Sequence, residues 1–285
     1  MESDKIVNYI KIARTIGQHL GCKIYIVGGY VRDKILKLKS VDLDFVVEGN
    51  GLAVAESLHK KFGGKLTVYR KFLTASLKLK SGFVIDIATT RTEKYPKPAS
   101  MPVVQPAKLE KDLFRRDFTI NALASPIRFA HPRLKSGATT VIDVCGGLDD
   151  IKNKLIRVLH KKSFTDDPTR ILRAIRYAIR FNFKIEENTE KWMNAAIKKN
   201  LLSLVSTPRI RDEFIKVLAE KNAKKILTEF KKRKILKYID AKLDISAISE
   251  KKESVEIRLK KLLQNFTEEK KMSFLKKLCL PAKIS

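Results

Sequence analysis

Two short segments near the amino terminus carry residue types and spacings suited to chemistry on a phosphorylated substrate. The first is residues 28–33, with the sequence GGYVRD, which follows the apolar, β-branched run at 24–27. Glycines let a backbone approach a ligand closely, and the first N–H groups of the helix that follows favour an anion. We therefore predict that Gly28, Gly29 and Arg32 hold a phosphate group, with Arg32 as a fixed cation.

The second segment is a predicted strand that begins with Asp42 and Asp44. Two residues apart on a strand, their side chains point to the same face, so two carboxylates lie side by side. Such a pair is costly unless a cation joins it, and Mg²⁺ prefers oxygen ligands. Taken separately, the glycine segment also fits an ordinary turn, and the aspartate segment also fits a solvated strand end. Taken together in one strand–turn–helix–strand unit, the two segments predict a phosphate cradle beside a metal site.

A third acid, Asp86, interrupts the apolar run of residues 83–88, FVIDIA. An acid in such a strand needs a partner, because an isolated buried carboxylate is costly. The alternative is that Asp86 is a strand-end residue at the edge of the sheet.

Together, GGYVRD and the DLDF sequence at 42–45 resemble the head domain of the polymerase-β-like nucleotidyltransferases. The similar branch is class II, which holds tRNA nucleotidyltransferases (CCA-adding enzymes) and bacterial poly(A) polymerases. The resemblance implies that Asp86 faces the Asp42 and Asp44 pair. It also implies two Mg²⁺ ions ~4 Å apart that activate a 3′-hydroxyl and stabilise the leaving pyrophosphate.

Two further segments strengthen the resemblance. Residues 86–91, DIATTR, resemble the second motif of the family, in which Arg91 would position nucleotide or primer. Residues 115–122, RRDFTINA, resemble the third motif. There the resemblance implies that Asn121 binds a ribose hydroxyl and that Arg116 and Asp117 fix the head against the next domain.

A strongly patterned helix is predicted after Asp167, which suits an N-cap, and Pro168, which suits the first helical position. Its arginines share about a third of the helix circumference, opposite an apolar face. Cations this close need anions, so we expect a triphosphate, a base edge or acidic partners. A solvated basic face is the alternative. The arginines are Arg170, Arg173, Arg176 and Arg180.

The sequence Asp166-Asp167-x-x-Arg170, followed by Arg173 and Arg176, resembles the fourth motif of the family. The resemblance implies that a carboxylate and an arginine read the edge of the incoming base, selecting CTP or ATP without a nucleic-acid template. This chain has Asp166 where the family usually has Glu, a difference that bears on nucleotide preference.

The composition favours a polyanionic partner. The 285 residues include 60 Lys and Arg against 31 Asp and Glu, a formal charge of +29. Such a field attracts nucleic acid, although a lysine-rich composition bias is an alternative explanation. Three separated cysteines indicate neither disulfides nor a zinc site. Because the start shows no signal pattern and no apolar run approaches about 18 residues, we expect a cytoplasmic protein without membrane association.

The predicted fold is α+β, with a mixed five-stranded head at 1–147, a helical, base-selecting neck at 148–210 and a helical, RNA-binding body at 211–285. Prolines exclude strand and helix from 96–106 in this interpretation. The body resembles the helices that hold the acceptor and T arms of tRNA, although family members generally continue into a longer body.

The predicted function is Mg²⁺-dependent addition of CMP and AMP to the tRNA 3′ end from CTP and ATP, with release of pyrophosphate. Related alternatives are a CC-adding enzyme, an A-adding enzyme and a poly(A) polymerase, which share these motifs. A non-catalytic RNA-binding protein and a transferase acting on a small molecule are alternatives of other classes. Protein partners and oligomeric state are not predicted.

Overall fold

The computed structural model describes residues 2–39, 43–127, 141–251 and 253–280. The chain divides into two compact units. Unit 1 comprises Met1–Pro96, Pro102–Asn153 and Arg157–Leu159, and unit 2 comprises Lys97–Met101, Lys154–Ile156 and His160–Ser285. The limits drawn from the sequence, 1–147, 148–210 and 211–285, stay predictions.

Unit 1 is built from five helices and nine strands within the described residues. The helices are α1 Glu2–His19, α2 Gly29–Ile35, α3 Gly51–Phe62, α4 Leu109–Phe114 and α5 Gly147–Lys152. The strands are β1 Lys23–Val27, β2 Leu43–Glu48, β3 Lys65–Tyr69, β4 Thr74–Lys78, β5 Val84–Thr89, β6 Arg91–Lys94, β7 Val103–Pro106, β8 Leu123–Pro126 and β9 Ile142–Asp143.

Seven of these strands form one sheet in the order β3-β4-β5-β2-β1-β8-β9. Only β2 and β5 pair in parallel, and the other neighbours are antiparallel. One face packs against α3 through fully buried side chains such as Phe45, Ile85 and Leu77. On the opposite face, α4 covers the β1 and β2 side with Leu109 and Leu113, in a cluster that includes Val27, Val46, Ala122 and Ala124.

The α+β class and the mixed sheet are confirmed, but the sheet has seven strands rather than five. The sequence pattern did not reveal β8. All four residues of β8 are buried, and a strand buried on both faces shows no alternation of polar and apolar residues.

The exclusion of strands from 96–106 was wrong, because β7 pairs with β6 in a two-stranded ribbon. Pro106 ends β7 opposite Arg91. A proline at the end of such an edge strand removes no required ladder hydrogen bond, so the residue does not prevent pairing.

Within its described residues, unit 2 is helical except for one short pair of strands, so the prediction of an all-helical region after 148 needs this correction. Strands β10 Leu155–Ile156 and β11 Lys184–Ile185 pair in parallel. The helices are α6 Ser163–Asp166, α7 Thr169–Phe181, α8 Glu187–Lys198, α9 Thr207–Ala219, α10 Ala223–Lys232, α11 Val255–Leu262 and α12 Glu268–Lys277. No helix within the described ranges combines the length and the apolar composition of a membrane span.

Gly64 lets β3 start close to the end of β4. Its φ is +96°, and a Cβ there would lie 2.4 Å from the Lys78 carbonyl oxygen, whereas Gly82 has φ +84° with nothing within 4 Å. We expect Gly82→Ala to cost about 1–2 kcal/mol for its backbone conformation. Gly64→Ala should cost a further 1–3 kcal/mol or so for the clash. Urea unfolding of both variants tests this, and equal losses would contradict it.

Candidate active site

The carboxylates of Asp44 and Asp86 lie side by side on the exposed part of the sheet. Asp44 pairs with Asp86 across β2 and β5, and Asp86 pairs in turn with Ser76 of β4. Residues in register on neighbouring strands point to the same face, so the three polar side chains form a row. A cavity of about 300 Å³ lies over this row and is lined also by Arg115 and Arg116.

The glycine turn lies beside this row, where β1 ends. Gly28 has φ +67°, a left-handed conformation that favours glycine. Its N–H donates to the Leu123 carbonyl oxygen at 3.1 Å. A Cβ at Gly28 would lie 3.2 Å from Arg116 Nη1 and 3.5 Å from Asp44 Oδ2. The absence of a side chain therefore keeps the space between the turn, the carboxylate and the guanidinium open.

Arg32 is directed into the protein rather than displayed on the turn. It is 4% exposed, and its Nε and Nη2 donate to Asp33 Oδ1 at 2.9 and 2.7 Å. Nη1 donates to the Asn121 side-chain oxygen. Asn121 Nδ2 in turn donates to Asp117 Oδ1 at 3.0 Å. The structure thus brings together Arg32, Asn121 and Asp117 as one network that ties α2, which begins at Gly29, to the segment before β8.

A second network holds the arginines that line the cavity. Arg116 Nη2 lies 3.0 Å from Asp112 Oδ2, and Arg115 contacts Asp112 at 2.8 Å and Glu93 at 2.7 Å. Arg91 pairs with Glu93 at 3.0 Å, and its Nη1 donates to the Phe72 carbonyl oxygen. Arg91, predicted to position nucleotide or primer, is therefore anchored in this network within the described residues.

Both acids of this network are stabilised in their charged forms. Burial by itself would raise the pKa of Asp112, which is completely buried, but Arg116 and Arg115 hold that pKa below its ordinary value. The pKa of Glu93 is likewise low, because Arg115, Tyr95 and Arg91 outweigh its burial. Two carboxylates that are charged at neutral pH therefore fix the direction of the guanidinium groups that face the cavity.

Asp86 differs from the prediction in its surroundings. The apolar run suggested a buried acid, whereas Asp86 is exposed on the cavity side while its neighbours Ile85 and Ile87 are buried on the opposite face. The alternation is therefore that of a strand with one solvated face. Asp86 belongs to the carboxylate row by register rather than by a buried partner.

Asp42, the other half of the predicted pair, lies outside the described residues. Within the ranges that the structure describes, no group of three His, Cys, Asp or Glu side chains is arranged to hold a metal ion. Asp44 and Asp86 nevertheless supply carboxylate oxygens on one face of the sheet, and hard divalent cations such as Mg²⁺ prefer such donors. The donor chemistry of the row fits a divalent cation.

In unit 2, Asp167 is held at the start of α7. Its Oδ1 accepts hydrogen bonds from the Thr169 N–H at 2.9 Å, the Thr169 hydroxyl at 2.6 Å and Arg209 Nη2 at 2.7 Å. Asp167 thus receives an N–H at the helix start as expected, although α7 begins at Thr169, after Pro168. Asp166 lies beside His160, with 4.0 Å between Oδ2 and Nε2. Arg170 is buried on the first turn of α7.

The remaining arginines of α7 contact acidic partners from the same unit. Arg173 lies 3.1 Å from Glu213, and Arg176 lies 3.3 Å from Glu213 and 3.2 Å from Glu220. Arg180 also contacts Glu220, at 3.3 Å. Burial opposes ionisation of Glu213, but Arg173, Lys216 and Arg176 keep its pKa low. A triphosphate, a base edge or acidic partners were expected at this arginine face. Within the described residues, Glu213 and Glu220 are such acidic partners.

Several residues of these networks were not found from the sequence. Asp112 stands three and four residues before Arg115 and Arg116, a helical spacing that was available as a signal. Glu93 stands two residues after Arg91 on one strand, a spacing that was also available as a signal. Glu213 and Arg209 gave no comparable signal, because each meets its partner about 40 residues away along the chain.

Comparison with known proteins gives matches to two family models. Residues 24–157 match the model described as Poly A polymerase head domain. Residues 182–242 match the model described as Probable RNA and SrmB- binding site of polymerase A. The first match contains the glycine turn and the carboxylate row, and the second contains Arg209, Glu213 and Glu220.

Individual proteins are also similar. The A-adding tRNA nucleotidyltransferase of Aquifex aeolicus is 42% identical over 217 residues, which cover 76% of this chain and 26% of that protein. The CC-adding tRNA nucleotidyltransferase of Deinococcus radiodurans is 35% identical over 198 residues, which cover 70% of this chain and 50% of that protein. The chain therefore spans about a quarter to a half of the length of these curated relatives.

A solved structure, the Thermotoga maritima CCA-adding enzyme in complex with tRNA, is similar over almost the whole chain. The TM-score is 0.73 at 35% sequence identity, and the match covers 98% of this chain and 68% of that one. The likeness thus includes residues of both compact units.

The buried acid network predicts how the free energy of unfolding changes with pH. Because the pKa values of Asp112 and Glu93 are lowered in the folded state, their contribution is present above the ordinary pKa of about 4 and is lost as pH falls through the lowered values. At pH 7, Asp112→Asn should cost about 3–5 kcal/mol, since Arg115 and Arg116 lose a buried partner. Urea unfolding between pH 7 and pH 2.5 measures both effects.

Asp149→Asn, on the exposed side of α5, is the matched control and should change the free energy of unfolding by less than about 1 kcal/mol. Similar losses for the two variants, or an Asp112→Asn protein with unchanged loss of stability in acid, would contradict the assignment.

Proposed function

Because the chain belongs to the family of tRNA nucleotidyltransferases and poly(A) polymerases, we propose that it transfers nucleotides from nucleoside triphosphates to the 3′ end of tRNA. The observation that carries the proposal is the row of Asp44 and Asp86 beside the glycine turn, in the segment matching the head domain. We propose complete CCA addition from CTP and ATP, with pyrophosphate as the leaving group.

The reaction joins the 3′ oxygen of the acceptor to the α-phosphorus of the incoming nucleotide and breaks the bond between that phosphorus and the pyrophosphate oxygen. The proton of the attacking hydroxyl leaves as this bond forms. Gly28 and Gly29 offer backbone to the triphosphate, and Arg115 and Arg116 present positive charge to the cavity. These groups neutralise charge where it grows during phosphoryl transfer.

Enzymes of this family generally use divalent metal ions. We propose that Mg²⁺ is held by Asp42, Asp44 and Asp86. When bound, it supplies positive charge to the phosphates and favours ionisation of the attacking hydroxyl. In this proposal Arg32 acts indirectly, because its contacts to Asp33 and Asn121 fix α2 beside the glycine turn.

Base recognition is proposed for the residues where α6 ends and α7 begins, namely Asp166, Asp167 and Arg170. An arginine donates hydrogen bonds and a carboxylate accepts them, so the pair matches a base edge. Arg173 and Arg176 are proposed to position this helix through Glu213 and Glu220. Residues 148–210 would thus select the base, and residues 211–285 would bind RNA. We propose the cytoplasm as the location.

A-addition alone is a second candidate, favoured by the 42% identity to an enzyme of that specificity. The deciding experiment uses tRNA transcripts lacking one, two or three terminal nucleotides, each incubated with CTP alone, with ATP alone or with both in the presence of Mg²⁺, and resolves the products by length. Restoration of all three nucleotides supports CCA addition, and extension only of the transcript ending in CC supports A-addition. A long adenylate tail identifies a poly(A) polymerase. RNA binding without any extension identifies a non-catalytic protein and overturns the proposal.

Asp44→Asn should reduce incorporation at least about 100-fold, because one metal-binding carboxylate is worth several kcal/mol in the transition state. Binding of tRNA, measured by fluorescence anisotropy, should remain within about threefold. Asp149→Asn serves as the surface control with full activity. Incorporation by Asp44→Asn at the unsubstituted rate would rule out the carboxylate row as the catalytic centre.

Gly28→Ala should raise the KM for CTP and ATP about tenfold or more, since its Cβ intrudes between Arg116 and Asp44. Gly63→Ala is a closely matched control, because Gly63 has φ +65° and ψ −156°, close to the +67° and −129° of Gly28, but nothing within 4 Å of the added Cβ. Both variants carry similar backbone strain, so they should lose similar stability, while only Gly28→Ala loses nucleotide affinity. Equal KM values of the two variants for CTP and ATP would show that backbone strain, rather than loss of the phosphate cradle, causes the effect of Gly28→Ala.

A further inference from the structure

Tyr69 is a half-exposed aromatic residue at the cavity that contains the carboxylate row. Its relative exposure is 51%, and it lines this cavity together with Asp44, Asp86 and Ser76. Across the described part of the chain, no hydrogen bond, ring contact or cation–π contact involves its side chain. Within the described residues, the Tyr69 ring is therefore not engaged in a polar or aromatic contact and offers about half of its surface to the cavity.

The strand register fixes the face to which Tyr69 points. Tyr69 pairs with Thr74, Thr74 with Ala88, and Ala88 with Val46. The next row in the same register is Thr67, Ser76, Asp86 and Asp44. Residues two apart on a strand share a face, so Tyr69 stands on the same face as both carboxylates.

The strand order places Tyr69 and the glycine turn on opposite sides of the carboxylates. In the sheet, β3, β4 and β5 lie on one side of β2, and β1 lies on the other. Gly28 follows β1, whereas Tyr69 ends the edge strand β3. The row of Asp44 and Asp86 lies between them.

The geometry of phosphoryl transfer then distinguishes the two ends of the cavity. The attacking oxygen and the leaving oxygen lie roughly in line on opposite sides of the phosphorus. If the triphosphate occupies the glycine turn, the acceptor strand must approach from the β3 side. The part of the acceptor that lies beside Tyr69 in this arrangement is its terminal nucleoside, whose hydroxyl attacks the phosphorus.

We propose that Tyr69 stacks on the base of the 3′-terminal nucleoside of the acceptor RNA and so places its hydroxyl beside Asp44 and Asp86. The inference rests on the proposed nucleotide transfer and adds the residue that binds the acceptor end. Stacking on an aromatic ring tolerates any base, because every base has a π-face. This tolerance suits a reaction in which the terminal base changes with each addition.

The test compares Tyr69→Ala and Tyr69→Phe in the 285-residue chain. Base stacking on an aromatic side chain corresponds to a roughly 5- to 100-fold change in affinity. Tyr69→Ala should therefore raise the KM for a tRNA primer by about this factor and leave the KM for the incoming nucleotide within about twofold. Tyr69→Phe keeps the ring and should behave like the unsubstituted chain. Val103→Ala removes a similarly exposed side chain from the β6–β7 ribbon and should change neither KM.

A primer whose 3′-terminal nucleoside lacks its base isolates the stacking contact from any structural effect. With that primer, Tyr69→Ala and the unsubstituted chain should bind equally, because the contact is absent in both. An unchanged primer KM in Tyr69→Ala, an equal defect in Tyr69→Phe, or a defect in the nucleotide KM instead would each overturn the inference. Each of these outcomes would overturn the inference about Tyr69 while the unsubstituted chain still transfers nucleotides. If the unsubstituted chain transfers no nucleotides, the proposed function fails together with this inference.

Discussion

The arrangement depends on the parallel pairing of β2 with β5, which sets Asp44 directly beside Asp86. Like charges in opposite positions of a sheet are destabilising. The pairing persists because the other face of the same two strands buries Leu43, Phe45, Ile85 and Ile87 almost completely. A shift of one residue would turn these apolar side chains outward and the carboxylates inward. The hydrophobic face thus enforces a register that the polar face alone would not adopt.

Positive charge is organised differently in the two units. In unit 1, Asp112 and Glu93 hold Arg115 and Arg116 while the arginines still line the cavity. The acids lie in the protein interior and fix the direction of the guanidinium groups. In unit 2, Glu213 and Glu220 contact Arg173, Arg176 and Arg180. The buried Arg176, which also lies over the Tyr177 ring at 4.6 Å, therefore has a structural role in α7.

The sequence predicted the features that depend on local pattern. The strand, turn and helix around Gly28 and the amphipathic helix after Pro168 follow from periodicity and from the special backbone roles of glycine and proline. The partners of the arginines could not be predicted in the same way. Glu213 reaches Arg176 only through the packing of α9 on α7, and the register that aligns Asp44 with Asp86 is a property of sheet assembly. The buried strand β8 was missed because it lacks alternation.

The environment of Asp167 bears on how a base would be distinguished in the proposed reaction. Its Oδ1 accepts three hydrogen bonds, two from Thr169 and one from Arg209, so the carboxylate plane is fixed. Among the described contacts none engages Oδ2, which leaves this oxygen as an acceptor of defined direction. Cytosine and adenine both carry an amino donor, at N4 and N6 respectively. A fixed carboxylate acceptor is therefore compatible with CTP and ATP, and the replacement of Glu by Asp166 alters the neighbour of this acceptor rather than the acceptor itself.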